Sequence, residues 1–409
     1  MSASSGSAPI ETASDDPRAK RNEGASDVAR LRVVMLTNFV PPYRLPLYEA
    51  LGDRLSRLVV LVSTPIEGNR SWRPDTGRLD VRVQRTLSVQ SSWRHPGGFS
   101  EPTHVHVPWD TLAQLRRLRP DVIVSGELGF RSLFAALHCI GRGRPNHPKL
   151  VLWATLSERT EHGRGRLRHE LRGWLLRRAD RVIVNGASGE RYVRGFGVRR
   201  DRIDRIPYVA LPAFEDAGKA PRAGVLRHLL FAGQLTGRKG LVPFLEKLSE
   251  WSGAHPDREI TLTVAGSGPA ERALESFRSH GPLTIRLLGE QDPSELPTLF
   301  AQADAFVFPT LADEWGVVVN EALAAGLPVL GSVHSQAVEE LCEDGVTGWV
   351  FDPEDEESTR SAIQRALATE PDALEAMRAH ARERVRSLTP EWAAGRVLAT
   401  IRATLSTIE

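Results

Sequence analysis

Three carboxylates, Asp313, Glu314 and Glu321, share the short run Phe308-Pro-Thr-Leu-Ala-Asp-Glu-Trp-Gly-Val-Val-Val-Asn-Glu-Ala-Leu-Ala-Ala-Gly326-Leu-Pro-Val-Leu. A carboxylate accepts two hydroxyl hydrogen bonds, as the diol of a ribose or a hexose offers them. Ala303 to Phe308 reads as a short apolar strand and Pro309 to Trp315 as the loop that leaves it. A helix then starts near Gly316 and ends near Gly326, with Pro328 opening the next strand. Asp313 and Glu314 fall at the strand's carboxyl end, where open parallel sheets place ligands, and Glu321 about one to two turns into the helix. Between them, the N–H groups of Gly316, Val317 and Val318 lack helical acceptors and attract anions. Spacing alone fits a plainer account equally: acidic residues favour a helix N-terminus, and Glu321 is then an exposed helix residue.

Two further loops carry phosphate-binding chemistry. Phe231-Ala-Gly233-Gln234-Leu-Thr-Gly237-Arg238-Lys239-Gly240 leaves a strand through glycines and enters a helix. Lys239 can set a compact charge against a diphosphate and Arg238 a fork of donors; a basic turn is the alternative. Gly266-Ser-Gly268-Pro269 follows the strand ending at Ala265, and Pro269 suits the first turn of a helix. Nearer the N-terminus, Asn38-Phe-Val-Pro-Pro-Tyr-Arg44 follows the first strand, and Arg44 can meet a phosphate or an acidic acceptor. Leu152-Trp-Ala-Thr-Leu-Ser-Glu158-Arg-Thr-Glu161 begins at another strand end, which makes Glu158 and Glu161 acceptor-side candidates. For each of these three a surface or connecting role competes with the functional one.

These loops need a frame that brings strand ends together. From Leu31 the pattern alternates strand and helix: Leu31 to Thr37, Leu58 to Ser63, Asp121 to Ser125, Leu150 to Ala154 and Arg181 to Asn185 read as strands. Leu229 to Ala232, Ile260 to Ala265, Thr284 to Leu288, Ala305 to Phe308 and Val329 to Gly331 repeat the alternation. The expectation is an α/β fold with two facing Rossmann-like domains, parallel sheets and an interdomain cleft. Residues 1–30 read as a disordered leader and 31–213 as the N-terminal domain. Residues 214–227 form the linker, 228–385 the C-terminal domain, and 386–409 a C-terminal helix packing back toward the first domain. Asn69 to Pro108 is irregular and fits either a strand pair with a loop at the cleft or a solvated charged insertion.

Composition narrows the class. The chain has 409 residues, a formal charge of +2 and 25% charged residues, as a globular two-domain protein does. Cys139 and Cys342 lie far apart on apolar helical patterns, which suits a reduced cytoplasmic protein without disulfide or metal framework. No segment reaches the roughly 18 apolar residues of a membrane-spanning helix. The basic stretch Arg164 to Arg178 offers Leu171, Trp174 and Leu175 either to a membrane interface or to its own sheet. An Asp-x-Asp motif is absent from the sequence, and no metal is expected.

The run Phe308 to Leu330 resembles the signature of family 4 glycosyltransferases, retaining enzymes of the GT-B fold, in the form Glu-Trp-Gly-x-x-x-Asn-Glu. The resemblance extends from Leu31 to the final helix and is strongest in the C-terminal half. It implies a nucleotide diphosphate sugar as donor, bound mainly by the second domain, with no further cofactor. It also implies that Glu321 holds the ribose hydroxyls, that Gly316 and Val317 bring N–H groups toward the sugar, and that the Gly266-Ser-Gly268 loop lies near the nucleotide. The family's first glutamate falls on Asp313, one methylene shorter, so its role at the transferred sugar is shared between Asp313, favoured by register, and Glu314. Lys239 matches the family's phosphate-binding lysine, whereas Gln234 stands where the family has arginine, and Arg238 can compensate. The family's N-domain histidine has no secure counterpart among His104, His106 and His162.

The expected reaction is glycosyl transfer to a hydroxyl of a glycan, lipid-linked or small-molecule acceptor, with retention at the anomeric carbon. Its location is cytoplasmic, with peripheral contact at the inner face of the plasma membrane left open. A nucleotide-sugar epimerase, a phosphorylase and a noncatalytic nucleotide-sugar-binding protein are the alternatives. Nucleic acid is not an expected partner, because no aromatic platform interleaves with the arginines.

Overall fold

The computed structural model describes residues 29–66, 76–140, 147–217 and 224–406. Most of the expected leader, and the start of the irregular 69–108 stretch, lie outside these residues. The strands of the N-terminal half are β1 (Arg32–Thr37), β2 (Arg57–Val62), β3 (Asp80–Val83), β4 (Thr86–Arg94), β5 (Ser100–Pro108), β6 (Val122–Gly126), β7 (Lys149–Ala154), β8 (Arg181–Val184) and β9 (Ile203–Arg205). Seven of them form one parallel sheet in the order β3-β2-β1-β6-β7-β8-β9. The C-terminal half adds β10 (His228–Ala232), β11 (Ile260–Ala265), β12 (Leu283–Gly289), β13 (Ala305–Phe308), β14 (Val329–Ser332) and β15 (Gly348–Phe351). These make a second parallel sheet in the order β12-β11-β10-β13-β14-β15.

Both sheets are covered on two faces, which is why their central strands are apolar without alternation: Val33 to Leu36, Val122 to Val124, Leu150 to Ala154 and Ala305 to Phe308 are all buried. One apolar cluster runs through both halves, from Val33 and Met35 through Ile206, Val209 and Phe214 to Phe306, Trp315 and Val319. The C-terminal helix Pro390–Leu405 joins that cluster through Ala393, Val397 and Ile401 and packs on the helix Leu45–Gly52 of the first domain. Arg54 adds a hydrogen bond from its Nη1 to the Glu391 carbonyl at 3.1 Å.

One expectation changes in detail, and one pair of alternatives is decided. The start of the 214–227 linker is not loop: Ala213–Ala217 is a short helix, and Phe214 is buried with its ring 5.1 Å from that of Phe300. An aromatic anchor of this kind holds the linker's first turn to the second domain. Residues 218–223 lie outside the described residues. In the 69–108 stretch the strand-pair alternative is the one observed, as the antiparallel hairpin β4-β5. Its tip reaches the second domain, where Trp93 and Phe99 pack with Leu311 and Ala312.

Candidate active site

The loop after β13 and the basic turn after β10 are laced together, and this positions the charged groups. Leu311 N–H and the Thr310 hydroxyl both donate to the Arg238 carbonyl, at 2.8 Å and 3.2 Å. Asp313 is thereby set between two cations, with Oδ2 2.5 Å from Lys239 Nζ and 3.1 Å from Arg238 Nη1. Arg238 also bonds the Ala312 carbonyl and, across the cleft, Glu101 of β5 at 2.9 Å. Burial pushes the Asp313 carboxyl up, but the charges of Lys239 and Arg238, with hydrogen bonds from Lys239 and the Trp315 amide, outweigh it and hold it down at about 2. Burial likewise lowers the Lys239 pKa, opposed by Asp313.

The helix Val317–Ala324 begins from Gly316 in the left-handed region at φ 99°. Any Cβ there would lie 2.6 Å from the Phe308 ring, so only glycine fits. Trp315 and Asn320, the other marked residues of the motif, hold the backbone. The indole N–H donates to Asn320 Oδ1 at 2.7 Å, and Asn320 Nδ2 donates to the Tyr208 carbonyl of the first domain at 2.7 Å. Glu321 is different. It is buried, no hydrogen bond or ion pair meets its carboxylate among the described residues, and burial alone raises it to about 7.

Glu321 lines a cavity of about 590 Å³ between the domains, together with Gly233, Gln234, Gly266, Ser267, Gly268, Val317 and Val318. Phe39, Pro42 and Tyr43 close it from the first domain, and Glu290, Gln291 and Pro293 stand at another wall. The backbone crosses close to itself here: a Cβ on Gly266, at φ 145°, would fall 1.9 Å from the Gly233 carbonyl oxygen. First-turn amides of the Val317–Ala324 helix have no intrahelical acceptor, so a polar ligand in the cavity meets donors from that helix and an unpaired carboxylate together.

The remaining candidates divide. Glu314 is exposed to the cleft, with no side-chain partner among the described residues. The dense walls around it raise its carboxyl to about 7, helped by Glu127 and Asp313. Arg44 does not reach the cleft. It is buried, donates to the Tyr48 hydroxyl at 3.1 Å and to Tyr208, and lies 4.6 Å over the rings of both Trp153 and Tyr208. A guanidinium spent on aromatic faces and hydroxyls is a core fixture. Glu161 is corrected in the same way, because its buried carboxylate binds Arg172. Glu158 accepts from Arg191 Nε at 2.7 Å and the Ser188 hydroxyl at 3.2 Å, which ties two N-domain helices.

For the basic stretch, the alternative of packing on its own sheet is observed. Leu175 is fully buried, and Leu171 and Trp174, half-buried, pack on the same N-domain core. No helix among the described residues is long and apolar enough to cross a membrane. Of the histidines, His106 Nδ1 lies 2.8 Å from the Ser88 hydroxyl on the hairpin and His104 is exposed. His334, Asp352 and Glu354 come together on the second domain's cleft side. A cation already serves that group, since Arg159 Nη1 lies 3.0 Å from both Glu354 oxygens.

Residues 40–209 match the model described as Glycosyl transferase 4-like domain, and residues 227–369 match Glycosyl transferases group 1. The chain belongs to the GT-B glycosyltransferases related to family 4. It is 32% identical over 231 residues to glycogen synthase of Mycobacterium tuberculosis, covering 54% of this chain and 53% of that protein. It is 27% identical over 178 residues to alpha-D-kanosaminyltransferase of Streptomyces kanamyceticus, covering 41% and 45%. The chain thus spans about half the length of the curated relatives it matches. Among solved structures, Anabaena HepE in complex with UDP superposes with a TM-score of 0.64 at 16% identity, over 92% of this chain and all of that one. WaaG, a glycosyltransferase involved in lipopolysaccharide biosynthesis, gives 0.62 at 15% identity over 92% and 100%. These likenesses show the GT-B fold.

Two cleft residues of this GT-B chain escaped the sequence reading. Glu101 lies on the irregular hairpin, where no periodic signal marks it. Glu127 directly follows β6, and the rule that ligands gather at carboxyl ends of parallel strands would have found it. Its backbone is left-handed at φ 62°, unusual for a non-glycine residue, and Asn38 Nδ2 donates to its carboxylate at 2.5 Å.

Proposed function

We propose that the protein transfers a glycosyl group from a nucleotide diphosphate sugar to a hydroxyl acceptor, with retention at the anomeric carbon. One observation carries the reading: a single interdomain cavity has the unpaired, buried Glu321 on its wall and the Lys239–Asp313–Arg238 cluster in the adjoining loops. The nucleotide fills the cavity, with its ribose diol on Glu321 and its base toward Glu290 and Gln291. Gly233, Gln234, Gly266 and Gly268 give the backbone close approach, and the amides of Gly316, Val317 and Val318 face the diphosphate.

Lys239 and Arg238 stabilise charge that grows on the leaving diphosphate, an effect that speeds the reaction only where it strengthens toward the transition state. Asp313, with Glu314 beside it, receives hydroxyls of the transferred sugar. The leaving phosphate takes the acceptor proton on the same face of the sugar, so no protein nucleophile is required. Paired carboxylates here are therefore recognition groups rather than a glycosidase pair. The acceptor approaches from the N-domain wall of the cleft, and the donor needs no further cofactor.

The test is a donor-panel incubation with glycan, lipid and small-molecule acceptors, followed by mass measurement of both products. The expected result is a nucleotide diphosphate and an acceptor heavier by one glycosyl unit. Recovery of only an epimerised nucleotide sugar, or a strict need for inorganic phosphate as acceptor, would overturn the reading in favour of an epimerase or a phosphorylase.

A further inference from the structure

The cleft has a second polar wall outside the nucleotide cavity. Arg168 and Arg172 stand one turn apart on the helix Arg166–Arg178, and Arg164 precedes its start. A single carboxylate answers two of the three guanidiniums. Glu161 binds Arg172 and lies 3.8 Å from Arg168, and Arg172 also donates to the Tyr192 hydroxyl at 3.2 Å.

Arg164 gives its Nε N–H to the Thr160 carbonyl at 2.9 Å and lies 3.8 Å over the Trp93 ring, which anchors it to the hairpin. Among the described residues, no acceptor meets the terminal nitrogens of Arg164 or Arg168, and the buried Nε of Arg168 has no hydrogen-bond partner. Buried donors are ordinarily satisfied, yet the buried Nε atoms of Arg168 and Arg172 have no hydrogen-bond partner, on a wall where three guanidiniums have one carboxylate in contact, so the wall has a place for an anion.

Its position indicates which anion. None of the three arginines lines the nucleotide cavity. Arg164 and Arg168 instead lie in the field of Glu314, and Arg164 also in those of Arg238 and Glu101, at the reacting end of the cleft. Neither Glu314 nor Glu127 is within ion-pair distance of them. Burial, together with the repulsion of Arg168, lowers Arg164 to about 10, as expected of a cation short of counter-charge.

We infer that Arg164 and Arg168 form an anion subsite for the acceptor, so that the molecule receiving the sugar carries a phosphate monoester or a carboxylate. The inference rests on the transferase reading for the word acceptor; the site itself does not depend on turnover. Guanidinium forks match both anions in two-point geometry.

The experiment measures direct binding of glucose 6-phosphate, glucuronate and glucose to the full chain by calorimetry, for the natural protein and for Arg164→Gln, Arg168→Gln and Lys239→Ala. Circular dichroism confirms that each variant is folded. At least one of the two anions should bind while glucose does not, and the stronger of them identifies the group. Arg168→Gln should weaken that anion about tenfold or more, as loss of one charge-assisted contact implies, and Arg164→Gln similarly. Lys239→Ala should leave it unchanged. An anion lost only in Lys239→Ala would belong to the diphosphate site and overturn the inference, as would equal binding of glucose or absence of binding by all three. A failure to find any transferase donor would leave this binding result standing, so the two readings fail separately.

Discussion

Asp313 and Glu321 mark the two ends of one loop and helix turn, both buried, yet their carboxyls are driven apart: Asp313 is held down at about 2 and Glu321 pushed up to about 7. Asp313 has two internal cations; Glu321 has none. The difference separates a carboxylate whose charge the chain already balances from one whose charge it leaves for a ligand to balance. Relative to the ordinary 3.8, the lowered Asp313 contributes about 2 kcal/mol of stability above pH 4, which is lost as pH falls toward 2. Glu321 has the opposite sign. Its folded form holds the proton more tightly than the unfolded chain, so it costs nothing below about pH 4.5. The cost grows as pH rises through 7, reaching about 3 kcal/mol above it. A carboxylate kept unpaired at that cost is one whose hydrogen bonds come from outside the chain.

The strongest way to break this contrast is Lys239→Ala. It removes the nearer of the two cations at Asp313, which destabilises the fold by about 3 kcal/mol, as for a buried pair with one partner missing. It also removes a charge the donor diphosphate uses. Donor affinity and transfer should both fall, by about 1.5–3 kcal/mol or roughly 10- to 150-fold. Titration calorimetry with the nucleotide diphosphate sugar and a turnover assay check this. A folded variant with ordinary values in both would remove Lys239 from the mechanism.

Glu321→Gln sharpens the other side. At pH 8 the unliganded variant should be more stable than the natural protein by up to about 3 kcal/mol, and at pH 4 the two should coincide. Donor binding should show the reverse. Affinity for a nucleotide diphosphate sugar rises from pH 6 to 8 as Glu321 ionises, whereas the variant is weaker by about 1–2 kcal/mol at pH 8 and loses that slope. The loss should be larger for ribose donors than for 2′-deoxyribose donors. Equal losses for both would show that the carboxylate does not bind the diol.

How much of this was legible in the chain follows from range. The parallel strands, the helix after Gly316 and the basic turn at Lys239 are local patterns of apolar runs, glycines and prolines, so they could be read directly. Arg44, Glu158 and Glu161 show the limit. Each sits on a connection next to a strand end, where function is common, but each is consumed by partners distant in sequence: Tyr208 and Trp153 for Arg44, Arg191 for Glu158, Arg172 for Glu161. Trp315 and Asn320 likewise spend their polar groups inside the protein, the indole N–H on Asn320 and the Asn320 amide on the Tyr208 carbonyl. Pairing between separate elements leaves no periodic signal, and only the folded geometry decides which polar groups remain free.

The finest distinction lies between neighbours. Asp313 is fully answered by Lys239 and Arg238, while Glu314 is open to the cleft, raised to about 7 by its crowded surroundings and by Glu127. Register assigns the transferred sugar to Asp313, so Asp313→Asn should lower transfer more than Glu314→Gln does. Bare nucleotide diphosphate responds differently, because it has no sugar hydroxyls to lose and competes with Asp313 for the same cations. Once Asp313 is neutral, Lys239 and Arg238 are released to the phosphates, and bare-nucleotide affinity should tighten by about 1 kcal/mol or less, while Glu314→Gln leaves it unchanged. Transfer rates and bare-nucleotide affinities of the two folded variants decide the matter. A larger transfer defect in Glu314→Gln would move the sugar contact to Glu314, and weaker nucleotide binding in Asp313→Asn would mean that Asp313 positions the two cations instead of competing for them.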